Sequence, residues 1–177
     1  QPSGTGEALL HTLILWHALL GTLQGYELTA RALYAAARQN IDWVAADTDD
    51  QGWLAVIDVF HDAHEAYAAA FSGLLGRDAP NARNQELYDE QVDDFTADAA
   101  SALQAMYDIE ADLVLTYEEA LGQMEGIDGV ILVSSIVTAE ARHGTVLANM
   151  QGKSSADDLD DLLVTDQGTA LPLGQEG

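Results

Sequence analysis

Four long stretches of the chain set apolar residues at alternating spacings of three and four, the period of a helix that buries one stripe. The first is expected from about Glu7 to Asn40, with a stripe of Leu13, Trp16, Leu20, Leu23, Glu27, Ala30 and Tyr34. The second, from about Gln51 to Gly76, reads Leu54, Ile57, His61, His64, Ala68, Phe71 and Leu75. The third, from about Asp93 to Gly126, reads Leu103, Met106, Glu110, Leu113, Tyr117, Ala120 and Met124. The fourth, from about Asp128 to Gly152, reads Val133, Ile136, Glu140, His143, Leu147 and Met150. The pattern predicts an all-α chain. Proline stands only at Pro2, Pro80 and Pro172, so nothing breaks these helices from within, and β-branched residues are too sparse and too poorly alternated for a sheet.

Polar groups interrupt the stripes where only apolar ones are comfortable. Glu27, His61, His64, Glu110, Glu140 and His143 all occupy seam positions. A carboxylate or imidazole is costly in an apolar core unless something pairs with it. Six on matching seams point to one shared partner, and a pair of metal ions is the simplest. Residues three apart on a helix project from adjacent turns of one face, which is the spacing of His61 with His64 and of Glu140 with His143. Asp58 and Asp62 fall one step off the seam and read as flanking residues.

The chain also repeats itself. Glu27 is followed seven residues on by Tyr34, and Glu110 seven on by Tyr117. Each glutamate helix precedes a helix bearing a three-spaced ligand pair. Two helix pairs of one design, related by a pseudo-twofold, bring all six groups to one level. Carboxylate with imidazole suits iron or manganese, and also zinc. A metal-free network of hydrogen bonds among the same groups is the competing reading.

The connections fit a bundle. A polar turn is expected over 41–50, and Gly76 is a candidate C-cap. The longer stretch Arg77 to Val92 opens on the turn-like Asp78-Ala79-Pro80-Asn81 and can cross from one end of a bundle to the other, with a short helix around Gln85 to Gln91. Gly126 to Gly129 make a tight turn. The chain divides into a helical domain over 1–152 and an acidic, flexible tail over 153–177, with one helical turn near Asp157 to Leu163.

Charge narrows the partners. Thirty acids against six Lys and Arg give a net charge of −24, and Lys153 is the only lysine. Such a surface repels nucleic acid and anionic lipid and draws in cations. Solubility in high salt, as in a salt-loving host, accounts for it more directly than iron attraction does. There is no cysteine, which excludes thiolate and iron–sulfur sites. No signal peptide and no run of eighteen uncharged apolar residues is visible, so no membrane span is expected. The opening Gln1-Pro2-Ser3-Gly4 reads as a mature end left by processing or as an engineered boundary; the first reading favours an exported or extracellular protein over a cytoplasmic one.

These residues carry a resemblance. Tyr26-Glu27 through Tyr34, Phe60-His61-Asp62-Ala63-His64, Glu110 through Tyr117, and Ala139-Glu140-Ala141-Arg142-His143 resemble the ferritin-like superfamily of di-metal carboxylate proteins, most of all its exported bacterial members. The resemblance implies a ferritin-like four-helix bundle with the longer crossover between helices two and three. It implies one Glu on helix one, Glu-x-x-His on helix two, one Glu on helix three and Glu-x-x-His on helix four. His61 departs from it, standing where the pattern has a glutamate. The function implied is metal binding, with a di-iron or di-manganese oxidase or iron-handling role; the alternative is a structural or interaction module whose site is degenerate or holds one ion. Metal ions are the expected partners, with a homo-oligomer or larger assembly compatible with the fold. Arg142 is placed to pair with an acid beside the site.

Overall fold

The computed structural model describes residues 4–124, 126–163 and 168–174, with side chains described from Leu13 onward. The processed end read at Gln1-Pro2-Ser3 lies outside the described residues. All described regular structure is helical: α1 (Gly4–Asn40), α2 (Trp43–Ala46), α3 (Trp53–Leu75), α4 (Gln85–Ala97), α5 (Ala99–Leu121), α6 (Ile127–Met150) and α7 (Leu159–Leu163), with 3-10 turns at Gly76–Asp78 and Ala156–Asp158. The four long helices lie close to where the periodicity puts them, and most of their stripe residues form the core. Leu20, Leu23, Ile57, Phe71, Met106, Leu113, Val133 and Leu147 are all sealed from solvent, as is Leu33 beside the stripe, whereas Leu13 and Leu54 at the stripe ends are exposed. Burying a side chain such as Phe71 stabilises the fold by roughly 2–3 kcal/mol.

α1 packs chiefly on α3, and α5 chiefly on α6. The two pairs meet through α1 with α5 and α3 with α6, while α4 lies against both α1 and α5. α6 is long and apolar enough, by length and composition alone, to cross a membrane. It also carries buried Glu140 and His143 and lies along α5, as a core helix does.

The third helix begins later than its apolar period suggests. Residues 93–97 belong instead to α4, and the chain breaks at Asp98 (φ −158°, ψ 172°). The Asp98 carboxylate accepts the backbone N–H of Ser101, which caps α5. Apolar residues on both sides of Asp98 share one stripe, so periodicity runs straight through a break that the Asp-x-x-Ser cap decides. Gly76 does end α3, with φ +61° and its N–H donated to Ser72.

The crossover is tacked to α1 by buried polar groups. Gln24 Nε2 donates to Asn81 Oδ1 at 2.9 Å, and Gln24 Oε1 accepts the Asn81 N–H at 3.1 Å. Thr29 Oγ1 accepts the Asn84 N–H at 2.9 Å. The segment also runs close to Gly25, whose carbonyl accepts the Asn84 N–H at 3.4 Å. These contacts fix where α4 starts. Within the segment expected to be a flexible tail, residues 168–174 lie across α5 and α1. Asp112 Oδ1 and Thr116 Oγ1 accept the N–H groups of Thr169 and Leu171, Tyr26 donates to the Pro172 carbonyl, and Leu173 is buried.

Candidate metal centre

Four helices each deliver a side chain to the middle of the core. Glu27 comes from α1, His64 from α3, Glu110 from α5, and Glu140 with His143 from α6. Glu27, His64, Glu110 and Glu140 are fully buried, and His143 is 8% exposed. His64, Glu110, Glu140 and His143 bring one ligand atom each to within 4.8 Å of one another. That is little more than twice a metal–ligand bond of about 2.1 Å.

His64 is the hub. Its Nδ1 lies 2.8 Å from Glu27 Oε2 and its Nε2 lies 3.2 Å from Glu110 Oε1. Burial alone would lower its pKa, but the charges of Glu140 and Glu110 outweigh that, and its hydrogen bonds to Glu110 and Glu27 add to the rise well above the ordinary histidine value. It is therefore a cation that donates from both nitrogens. Against the pull of burial, that cation holds Glu110 well below the usual carboxylate range. Burial, then the Glu110 charge beside it, pushes Glu140 well above. Two adjacent buried carboxylates do not both ionise, so the proton is favoured on Glu140, and once Glu140 is neutral the rise at His64 rests on Glu110 and Glu27.

The tyrosines seven residues beyond each glutamate close the network crosswise. Tyr34 of α1 donates to Glu110 Oε1 of α5 at 2.5 Å, and Tyr117 of α5 donates to Glu27 Oε1 of α1. Helical side chains lean toward their own N-terminus, so a residue two turns on reaches back to the level of the cluster. Burial, reinforced by Glu110 for Tyr34 and Glu27 for Tyr117, raises both phenols and keeps them as donors. The spacing was visible in the sequence, whereas the exchange of partners between helices was not. Phe60, which stacks on His143 with ring centroids 4.0 Å apart, was also missed. Its position directly before His61 carries no signal of its own.

His61 goes elsewhere. Its Nδ1 lies 2.9 Å from Asp62 Oδ1, and its ring lines an outer groove with residues of α1 and α4. A three-residue step turns a helix by about 300°, enough to take His64 inward and His61 to the α4 side. Arg142 is exposed and makes no ion pair among the described residues. The flanking Asp58 pairs with Arg38 at 2.5 Å.

The residues present fit a metal ion. Glu110 Oε2, both Glu140 oxygens and His143 Nδ1 are buried without a hydrogen-bond partner. His143 Nδ1 stands 3.4 Å from both Glu110 Oε2 and Glu140 Oε2, so the unpartnered atoms face one another. Unsatisfied buried polar atoms are rare in proteins, and a bound ion would satisfy these. Two carboxylates and two imidazoles are donors that iron, manganese and zinc accept.

No curated protein and no solved structure matches the chain. The family model described as Ferritin-like domain matches residues 18–153, from the buried part of α1 to just past α6. With every residue of the buried cluster inside that span, the chain belongs to the ferritin-like domain family.

Proposed function

We propose that this chain is a ferritin-like four-helix bundle, built from α1, α3, α5 and α6 with α4 in the crossover, that binds a transition-metal ion in its core. The observation that carries the reading is the convergence of His64, Glu110, Glu140 and His143 within 4.8 Å. Iron or manganese is the favoured occupant, and it would supply electron-transfer chemistry toward oxygen or peroxide. The chain's own part is to hold and orient. Glu110, Glu140, His143 and the Nε2 of His64 supply the ligand atoms. Glu27 holds His64 Nδ1, which sets its tautomer and ring angle as a carboxylate behind a ligating histidine does. Phe60 and Tyr67 both lie stacked with His143, which fixes the plane of its ring.

With His61 turned away and Glu27 engaged behind His64, the set suits one ion better than two. Metal analysis of protein purified without chelator or added metal tests this. About one equivalent of iron or manganese per chain is the expected result for a single four-ligand site. Two equivalents would move Glu27 into direct ligation, and none, with none taken up on titration, would end the metal reading. The competing metal-free network has His64 in its favour, already paired with two carboxylates. It leaves Glu140 and His143 Nδ1 without partners.

Loading should release about two protons per ion near neutral pH, one from His64 and one from Glu140, because ligands must deprotonate to bind. Calorimetry in buffers of different ionisation enthalpy measures this, and release of none would show that the cluster is not the site. The metal-free protein should also lose stability as pH rises, through Glu140 from above about 4.3 and through His64 from above about 6.5. His64 and Glu140 bind protons more tightly folded than unfolded, so their contribution is full below the unfolded values and is lost on passing through the raised ones. Metal-loaded protein should not show that fall.

A further inference from the structure

The groove that receives His61 has a volume of about 560 Å³ and lies between α1, α3 and α4. Its charge is the reverse of the molecule's. The chain has 30 acids and six Lys and Arg, yet the described residues lining this groove include Arg31, Arg83 and His61 and neither Asp nor Glu. The volume is that of a small-molecule site, and Ala32, Ala35 and Ala36 leave the α1 side open.

The two arginines are held ready. The Arg83 guanidinium carbon lies 3.6 Å from the centre of the Tyr88 ring, and its Nε donates to Gln85 Oε1 at 3.0 Å. Stacking and that bond fix the guanidinium plane. The terminal N–H groups of Arg83 have no acceptor among the described residues. Arg31 reaches Glu65 through one terminal nitrogen at 3.4 Å, while its Nε is buried with no hydrogen-bond partner. A buried donor of a charged group left unpaired costs free energy that an incoming acceptor would recover. His61 has Nδ1 engaged with Asp62 and Nε2 available.

We propose that this groove binds a small organic oxyanion, a carboxylate or a phosphate ester, with Arg31 and Arg83 as its charge partners. Tyr88 presents the Arg83 fork, and the alanine wall accommodates the apolar body of the ligand. In a molecule that repels anions over most of its surface, such a site selects by local geometry against the long-range field. The proposal stands independently of the metal centre.

Amide chemical-shift titration of the full chain with inorganic phosphate and, separately, with benzoate tests it at fixed ionic strength. At least one probe should give saturable shifts centred on Ala35, His61 and Tyr88. Saturation by phosphate alone assigns a phosphate ester, and by benzoate alone a carboxylate. The Arg31→Gln/Arg83→Gln variant should bind about tenfold or more weakly, the loss of charge-assisted bonds. Arg77→Gln/Arg142→Gln removes the same charge from exposed positions outside the groove and should leave affinity unchanged. Linear, unsaturated shifts with both probes, or equal weakening by both double variants, would overturn the proposal.

Discussion

The Glu140→Ala/His143→Ala protein is expected to fold and to bind no metal. Both residues belong to the four-residue cluster, and three of its four unpartnered buried atoms are theirs. Removing them leaves His64 and Glu110, too few ligands for a stable ion among the usual four. The fold should survive because Glu140 contributes little to it without metal: its oxygens have no hydrogen-bond partner, and burial holds it protonated. Losing its packing and the Phe60–His143 stack should cost roughly 1–3 kcal/mol. The decisive comparison is the shift in Tm on adding manganese or iron(II). At a free metal concentration of a thousand times Kd, the parent protein should gain about 4 kcal/mol, and the variant nothing. Metal content equal to that of the parent would remove these residues from the site.

Helix number and register were legible because each long helix buries one continuous stripe, and period survives any detail of packing. Local breaks were less legible. Asp98 divides one apolar stripe between two helices, and only its side-chain cap on Ser101 marks the place. In the site, seam position identified Glu27, His61, His64, Glu110, Glu140 and His143 as buried, and burial is what the structure shows for all six. Seam position could not separate His61 from His64. His61 lies on the edge of the α3 stripe, at the groove that residues of α1 and α4 also line. The sequence period does not reveal that the crossover returns a helix to that side; the Gln24, Gly25 and Thr29 contacts that hold it there are long-range. The Glu-to-Tyr repeat was likewise visible as a spacing. Its meaning, a hydrogen bond made to the other glutamate's helix, depends on how the two helix pairs meet.

Replacing Glu27 separates a ligand from a residue that holds one. Glu27→Leu should lower the stability of the metal-free protein by about 3–5 kcal/mol, the cost of stripping one partner from a buried ion pair. It leaves the His64 Nδ1–H and the Tyr117 hydroxyl without an acceptor in a core sealed from water. At roughly 2–4 °C per kcal/mol for a chain of this size, Tm should fall by about 10 °C. Glu27→Gln keeps an oxygen for His64 and so should recover most of that loss. In metal binding, both variants should retain the parent's stoichiometry and weaken affinity by about 10- to 100-fold, the usual effect of removing the carboxylate behind a ligating histidine. Tyr117→Phe, one step further out, should cost about 1 kcal/mol of stability with stoichiometry unchanged. A Glu27→Gln protein that loses a whole equivalent of metal relative to the parent would show that Glu27 ligates directly. With two equivalents in the parent, the centre would then be dinuclear, with His64 facing an ion rather than a carboxylate. Weakened binding at constant stoichiometry would fix Glu27 as the group that aims His64, and with it the single-ion reading of this ferritin-like core.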